Sequence, residues 1–184
     1  MKIAVFRHGR DASGEKRFLL ADEFARLAEL RPKLKEKLGG QITDVFSSEA
    51  TRCSQTALAL SGQQSKHPDW LSALAEYPPE VFEKAQAEKI DPTLAYFQMM
   101  GVDHGLSQLN NGPAGQHVPQ VNLLATTLPA SAIVLLVGHG GGLDAVAAHH
   151  DLDWTPFKLL GRGEGFILTV GDQGGISFGQ YLRW

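Results

Sequence analysis

Two apolar runs end in a histidine beside glycine. Lys2–Phe6 leads into Arg7-His8-Gly9, and Ala132–Val137 leads into Gly138-His139-Gly140-Gly141-Gly142. An imidazole at the tip of a buried strand can act as nucleophile, base or anion ligand, and a neighbouring glycine lets a ligand approach the backbone closely. Arg7 immediately precedes the first histidine. Arg52 lies about one turn into the helix expected after a third apolar run, Ile42–Phe46. Helical side chains lean toward the N-terminus, so Arg52 reaches back toward the same strand ends. Two guanidiniums and two imidazoles beside helix N-termini make a site for a tetrahedral oxyanion, because guanidinium chelates phosphate oxygens through parallel hydrogen bonds that an ammonium cannot form. The site exists only if the strands carrying His8 and His139 are neighbours.

The elements that must position these groups are legible as periodic patterns. Lys2–Phe6, Ile42–Phe46 and Ala132–Val137 read as buried strands, the last as a central parallel one. Phe24, Leu27, Leu30, Leu34 and Leu38 form one stripe of a helix that stops at Gly39-Gly40, and Pro32 inside it predicts a kink or two abutting helices. Ser47 and Ser48 offer an N-cap for the next helix, with Glu49 in its first turn and Ala50, Cys53, Ala57 and Leu60 on its buried face. Between Gly62 and Gln116 the pattern is less regular. A short helix after Pro78-Pro79 is expected to turn Val81, Phe82 and Ala85 inward, and Asp91-Pro92 should open another, running through Leu94 and Phe97 to Gly101. Asn110–Gly115 reads as a loop, and Val118, Val121, Leu124 and Leu128 mark a further helix. Phe166–Val170 and Ile176–Leu182, joined by a glycine-rich turn, read as an edge hairpin. The expected architecture is a single α/β domain over residues 1–184: a three-layer α/β/α sandwich on a mostly parallel sheet, with a C-terminal edge hairpin and residues 62–116 as a small helical cap insertion.

Composition agrees with this. The chain has 184 residues, 43% hydrophobic and 20% charged, with a net charge of −3, which excludes a strongly basic nucleic-acid binder. Residues 1–52 carry eleven basic and eight acidic side chains, so any anion site should draw on the first third. Cys53 is the only cysteine, which excludes an internal disulfide and a cysteine-based zinc site; its place in the helical stripe makes it a small core residue. With no apolar run long enough to span a bilayer, the expectation is a cytoplasmic protein with neither membrane nor nucleic acid as partner.

Arg7-His8-Gly9 after an N-terminal strand, Ser47-Ser48 followed by Arg52, and the Val137–Gly142 segment (VGHGGG), in that order, resemble the histidine phosphatase superfamily with its phosphoglycerate-mutase-like fold. The resemblance covers Lys2 to about Val146, loosely in the middle. It implies that His8 forms a phosphohistidine, that Arg7, Arg52 and His139 hold the phosphoryl oxygens with Gly140 beside them, and that a carboxylic acid protonates the leaving oxygen. Glu76 stands where that acid should sit, with Glu80 and Glu83 as rivals. Metal and cofactor are not required by this chemistry, which rests on positioning and fixed cations. The implied activity is phosphomonoester hydrolysis of a phosphorylated small molecule or phosphoprotein. A catalytically weak phosphate- or phosphoprotein-binding module on the same fold is the alternative. A mutase is disfavoured because residues 76–118 carry only Lys84 and Lys89 as cations for a second anionic group.

Arg10 is open between substrate contact and solvation. His149, His150, Asp151 and Asp153 suggest a metal less than a solvated helix end, and His104 and His117 read as surface residues. The spacing of Gly138–Gly142 is not that of a dinucleotide fingerprint.

Overall fold

The computed structural model describes residues 1–12 and 17–184. The chain on either side of residues 13–16 meets where Ala12 N donates to the Phe18 carbonyl (2.8 Å).

A five-stranded sheet runs in the order β2-β3-β1-β4-β5, with β1 (Lys2–Arg7), β2 (Asp44–Ser47), β3 (Ile133–Gly138), β4 (Gly165–Val170) and β5 (Ile176–Leu182). The pairs β1–β3 and β2–β3 are parallel; β1–β4 and β4–β5 are antiparallel, so the expected hairpin closes one edge. Alternation of side chains divides the core. Ile3 and Val5 of β1 enter one cluster with Leu136, Leu143, Val146 and Phe166, while Ala4 and Phe6 enter the other with Leu27, Leu34, Cys53 and Leu60. Helices α1 (Ala21–Leu38) and α2 (Thr51–Ser61) cover the second face; α7 (His117–Thr127) and α8 (Gly142–His150) cover the first. This is the three-layer sandwich expected.

Several local expectations need correction. One helix, α1, runs through Pro32 instead of two abutting ones, because Leu27, Leu30, Leu34 and Leu38 are all buried on one stripe and that burial outweighs the missing N–H. Gly39 ends it in the left-handed conformation (φ 74°). Helix α2 starts at Thr51, not at Ser48, and Glu49 lies ahead of its first turn. The hydroxyls expected to cap it are engaged elsewhere: Ser48 meets His139, and Ser47 meets Ser65 and His67.

Four helices stand between α2 and α7: α3 (Asp69–Ser72), α4 (Pro79–Glu88), α5 (Pro92–Met100) and α6 (Val102–Asn111). In α4, Val81 and Ala85 are buried, but Phe82 points out and is 52% exposed. Asp91 caps α5 as expected, its side chain accepting from Thr93 N (2.8 Å). Helix α6 is an element the sequence did not suggest; Gly105 within it lies so close to α5 that a Cβ there would stand 2.9 Å from the Phe97 ring. His117 is buried rather than on the surface, its ring edge-on to Trp70 (5.7 Å). No helix among the described residues is long and apolar enough to cross a membrane.

Candidate active site

Parallel pairing of β1 with β3 sets Arg7 opposite Gly138, so the two histidines leave adjacent strand ends together. In an open α/β sheet this carboxyl edge is where ligands bind. The rings of His8 and His139 lie 5.3 Å apart, edge to face at 67°. Both are buried, and both open on one cavity of about 300 Å³ that is also lined by Arg7, Arg17, Arg52, Arg162, Asp91, Gly140 and the apolar group Leu74, Ala75, Tyr77, Phe82 and Pro92.

The tautomers follow from the hydrogen bonds. His8 Nδ1 lies 2.8 Å from the Gly9 carbonyl, which can only accept, so Nδ1 carries the proton and Nε2 presents its lone pair. Arg52 Nε donates to that Nε2 at 3.2 Å. Arg52 Nη2 stands 3.4 Å from His139 Nδ1, which therefore accepts, leaving His139 Nε2–H to donate to Ser48 Oγ at 3.0 Å. Burial, reinforced by the Arg52 and Arg7 charges, lowers the pKa of His8 to about 4. Burial, with Arg52 and His8 adding, lowers that of His139 to about 3. Both imidazoles are neutral at physiological pH. His8 Nε2 is thus unprotonated, and its lone pair accepts from Arg52.

Arg7 is held from two sides: Nη1 donates to the Leu160 carbonyl (2.8 Å), and Nη2 pairs with Asp91 Oδ2 (2.7 Å). Its Nε is buried without a hydrogen-bond partner among the described residues, an unspent donor beside an arginine-lined cavity. Gly140 backs onto this guanidinium: a Cβ there would lie 3.0 Å from Arg7 Cζ. Gly141 adopts φ 76°, and a Cβ would meet the Tyr77 hydroxyl at 2.5 Å, so this turn requires glycine twice over. The buried Asp144 ties the turn together, accepting from Gly141 N and Leu160 N at 2.9 Å each. Through Leu160 it also positions Arg7. Burial raises the Asp144 carboxyl to about 6.

Beside Arg52 lies a carboxylate that sequence reasoning left outside the site. The Asp11 side chain is buried and pairs with Arg17 (2.7 Å) and Arg162 (2.6 Å), with Arg52 at 3.7 Å. Arg162 comes from the loop before β4, where Gly163 N donates to the Arg7 and His8 carbonyls. Its flanking glycines were the only hint of that close approach.

The structure therefore brings Arg7, His8, Arg52, His139 and Gly140 together. It does not bring Glu76 to them: that side chain is exposed and borders a separate cavity with Pro78, Tyr96, Gln108 and Pro113. Glu80 and Glu83 are exposed on α4 and line no part of the His8 cavity. The carboxylate that does border it is Asp91, held below the ordinary range by the Arg7 guanidinium and its own backbone bonds, against the opposing effect of burial. Arg10 turns away to α1, pairing with Asp22 (2.8 Å) and Glu23 (3.0 Å). Cys53 lies under the site, Sγ 3.7 Å from His139 Nε2; burial pushes its thiol up to about 12. Among the described residues, no group of three or more His, Cys, Asp or Glu side chains could hold a metal.

No family model matches this sequence, and no curated protein matches it. Solved structures do. The protein histidine phosphatase SixA complexed with tungstate aligns at 18% identity over 100% of this chain and 97% of its own, with a TM-score of 0.59. A mycobacterial glucosyl-3-phosphoglycerate phosphatase aligns at 18% identity over 100% and 97%, with a TM-score of 0.66. Phosphoserine phosphatase from Entamoeba histolytica, in complex with 3-phosphoglyceric acid, aligns at 15% identity over 100% and 97%, with a TM-score of 0.67. The likeness is one of fold, and the fold is the one that the sequence motifs implied.

Proposed function

We propose that this protein is a phosphomonoester hydrolase that works through a phosphohistidine on His8. The observation that carries the reading is the paired arrangement of His8 and His139, both neutral, around Arg52, with the Arg7 guanidinium, whose Nε is unspent, lining the same cavity. Three proteins sharing this fold are phosphatases by name, and one of them holds tungstate, an oxyanion.

In this reading the phosphoryl group enters between the histidines. Its oxygens take the Arg52 donors and the Arg7 Nε, replacing the Arg52–His8 hydrogen bond. The Nε2 lone pair of His8 attacks phosphorus while its Nδ1–H stays anchored to the Gly9 carbonyl, so charge spreading over the equatorial oxygens meets cations already in place. Gly140 keeps the Arg7 guanidinium seated. Glu76, the acid implied by the resemblance, is assigned no part. Asp91, kept ionised by Arg7, is poorly suited to give a proton to the leaving oxygen. No step requires a metal or cofactor. The substrate is a phosphorylated small molecule or a phosphorylated side chain, and the protein acts in the cytoplasm.

The test is hydrolysis of p-nitrophenyl phosphate by wild type and His8→Ala, together with trapping of an acid-labile, alkali-stable phosphoenzyme. Turnover and phosphoenzyme that vanish in His8→Ala are expected. Equal inactivity of both proteins, with vanadate still bound, would instead establish a phosphate-binding module. That second reading has an observation in its favour, the exclusion of Glu76, Glu80 and Glu83 from the cavity.

A further inference from the structure

The cavity holding His8 has two unlike walls. One is cationic, but its charge is nearly spoken for. Arg17 and Arg162 are committed to Asp11, and Arg7 shares one edge with Asp91. Among the described residues, four guanidiniums against two carboxylates leave two positive charges, which match one phosphoryl dianion and no second anionic group.

The other wall is apolar. Leu74 and Phe82 are 51% and 52% exposed, yet both line the mouth of this charged pocket with Ala75 and Pro92. Phe82 departs from the inward face of α4 to do so. Behind it the Tyr77 ring (6.1 Å) is fixed by Tyr96 (5.0 Å) and by a hydroxyl bond to Thr93 (2.9 Å), so the wall is supported rather than loose. Lys84, on the same helix, is paired with Glu88 and offers nothing to a substrate carboxylate.

The third observation concerns the leaving group. The carboxylate bordering the cavity, Asp91, is ion-paired with Arg7 and already hydrogen-bonded at its helix cap. A leaving oxygen here departs with little proton assistance. A phenol, with a pKa of about 10, tolerates that far better than an alkanol.

We propose that the preferred substrate is a phosphate monoester of a phenol, with an uncharged aromatic leaving group seated against Phe82 and Leu74, in preference to sugar phosphates, phosphoglycerate or bisphosphates. The inference rests on the phosphatase reading above. The His8 Nε2 pair forms the N–P bond as the P–O bond to the ring breaks. The departing phenoxide takes its proton from solvent. Water then attacks phosphorus, the N–P electrons return to Nε2, and the proton of that water passes to solvent.

The test is a kcat/KM panel in which leaving-group acidity is matched within pairs: phenyl phosphate with 3-carboxyphenyl phosphate, and butyl phosphate with 4-hydroxybutyl phosphate. 3-Phosphoglycerate is added, and wild type, Phe82→Ser, Leu74→Ser and His8→Ala are compared. The apolar member of each pair should lead by about tenfold or more, within the range that apolar pockets achieve. Phe82→Ser and Leu74→Ser should erase that lead while leaving the inhibition constant for inorganic phosphate unchanged. Rates should also fall steeply with rising leaving-group pKa. His8-dependent turnover that is equal across each pair, or highest for 3-phosphoglycerate, would overturn the substrate assignment and leave the phosphatase reading standing. Absence of any His8-dependent turnover would remove both.

Discussion

Arg52 is the residue whose loss the site should tolerate least. Its side chain is 14% exposed and bridges the two histidines, with Nε on His8 at 3.2 Å and Nη2 on His139 at 3.4 Å. In Arg52→Ala a bound phosphoryl dianion loses a charge-assisted partner worth about 1.5–3 kcal/mol, or about 10- to 150-fold. The fold should survive, because Asp11 keeps Arg17 and Arg162. The same guanidinium also lowers the pKa of His8, so its removal has a second signature. Activity requires neutral His8 and should fall as pH drops through about 4 in the wild type; in Arg52→Ala that acidic limb should move upward. The assay is kcat/KM for phenyl phosphate as a function of pH, together with the vanadate inhibition constant and a thermal melt as fold control. Arg52→Lys should recover the charge but not the forked geometry, giving a partial rescue. Unchanged vanadate affinity and an unmoved acidic limb in Arg52→Ala would show that the pocket is not built as described.

Stability should be acid-sensitive for the same reason. The folded-state pKa of His8 lies below the ordinary 6.5, so the unfolded chain binds more protons; stability is full above about pH 6.5 and is lost as pH falls toward about 4. For His8 alone this amounts to about 3 kcal/mol, and His8→Ala should flatten the dependence of Tm on pH; parallel curves would refute it. Gly140→Ala puts a methyl 3.0 Å from an Arg7 guanidinium pinned by Leu160 and Asp91, and should weaken vanadate binding by about 10- to 100-fold, read by inhibition kinetics. Cys53, fully buried with its thiol raised to about 12, should resist a thiol reagent such as dithionitrobenzoate at pH 8 until the protein unfolds; prompt labelling of the native protein would contradict its burial.

What the order of residues determined about this protein is local and periodic. Runs of β-branched and aliphatic residues define buried strands, and the leucine stripe from Leu27 to Leu38 defines α1, because burial of an apolar face depends on spacing alone. Residues at strand tips inherit their position from those strands. Arg7, His8, His139 and Gly140 were therefore legible as one site as soon as β1 and β3 were paired, and Arg52 followed from its place one turn into α2. Tertiary structure decided what spacing cannot encode. A hydroxyl beside a helix start can cap it or serve a neighbour, and Ser48 serves His139 because that imidazole arrives from a strand 91 residues away. An Asp-Pro pair announces a helix cap, but only packing shows that the free oxygen of Asp91 meets Arg7. Glu76 stood at the right place in the order of segments and Phe82 on a plausible helical face, yet how the helices between α2 and α7 sit over the sheet turned the acid away from the histidines and the ring toward them. That arrangement is set by long-range contacts such as Trp70 against His117, whose residues have no periodic relation along the chain.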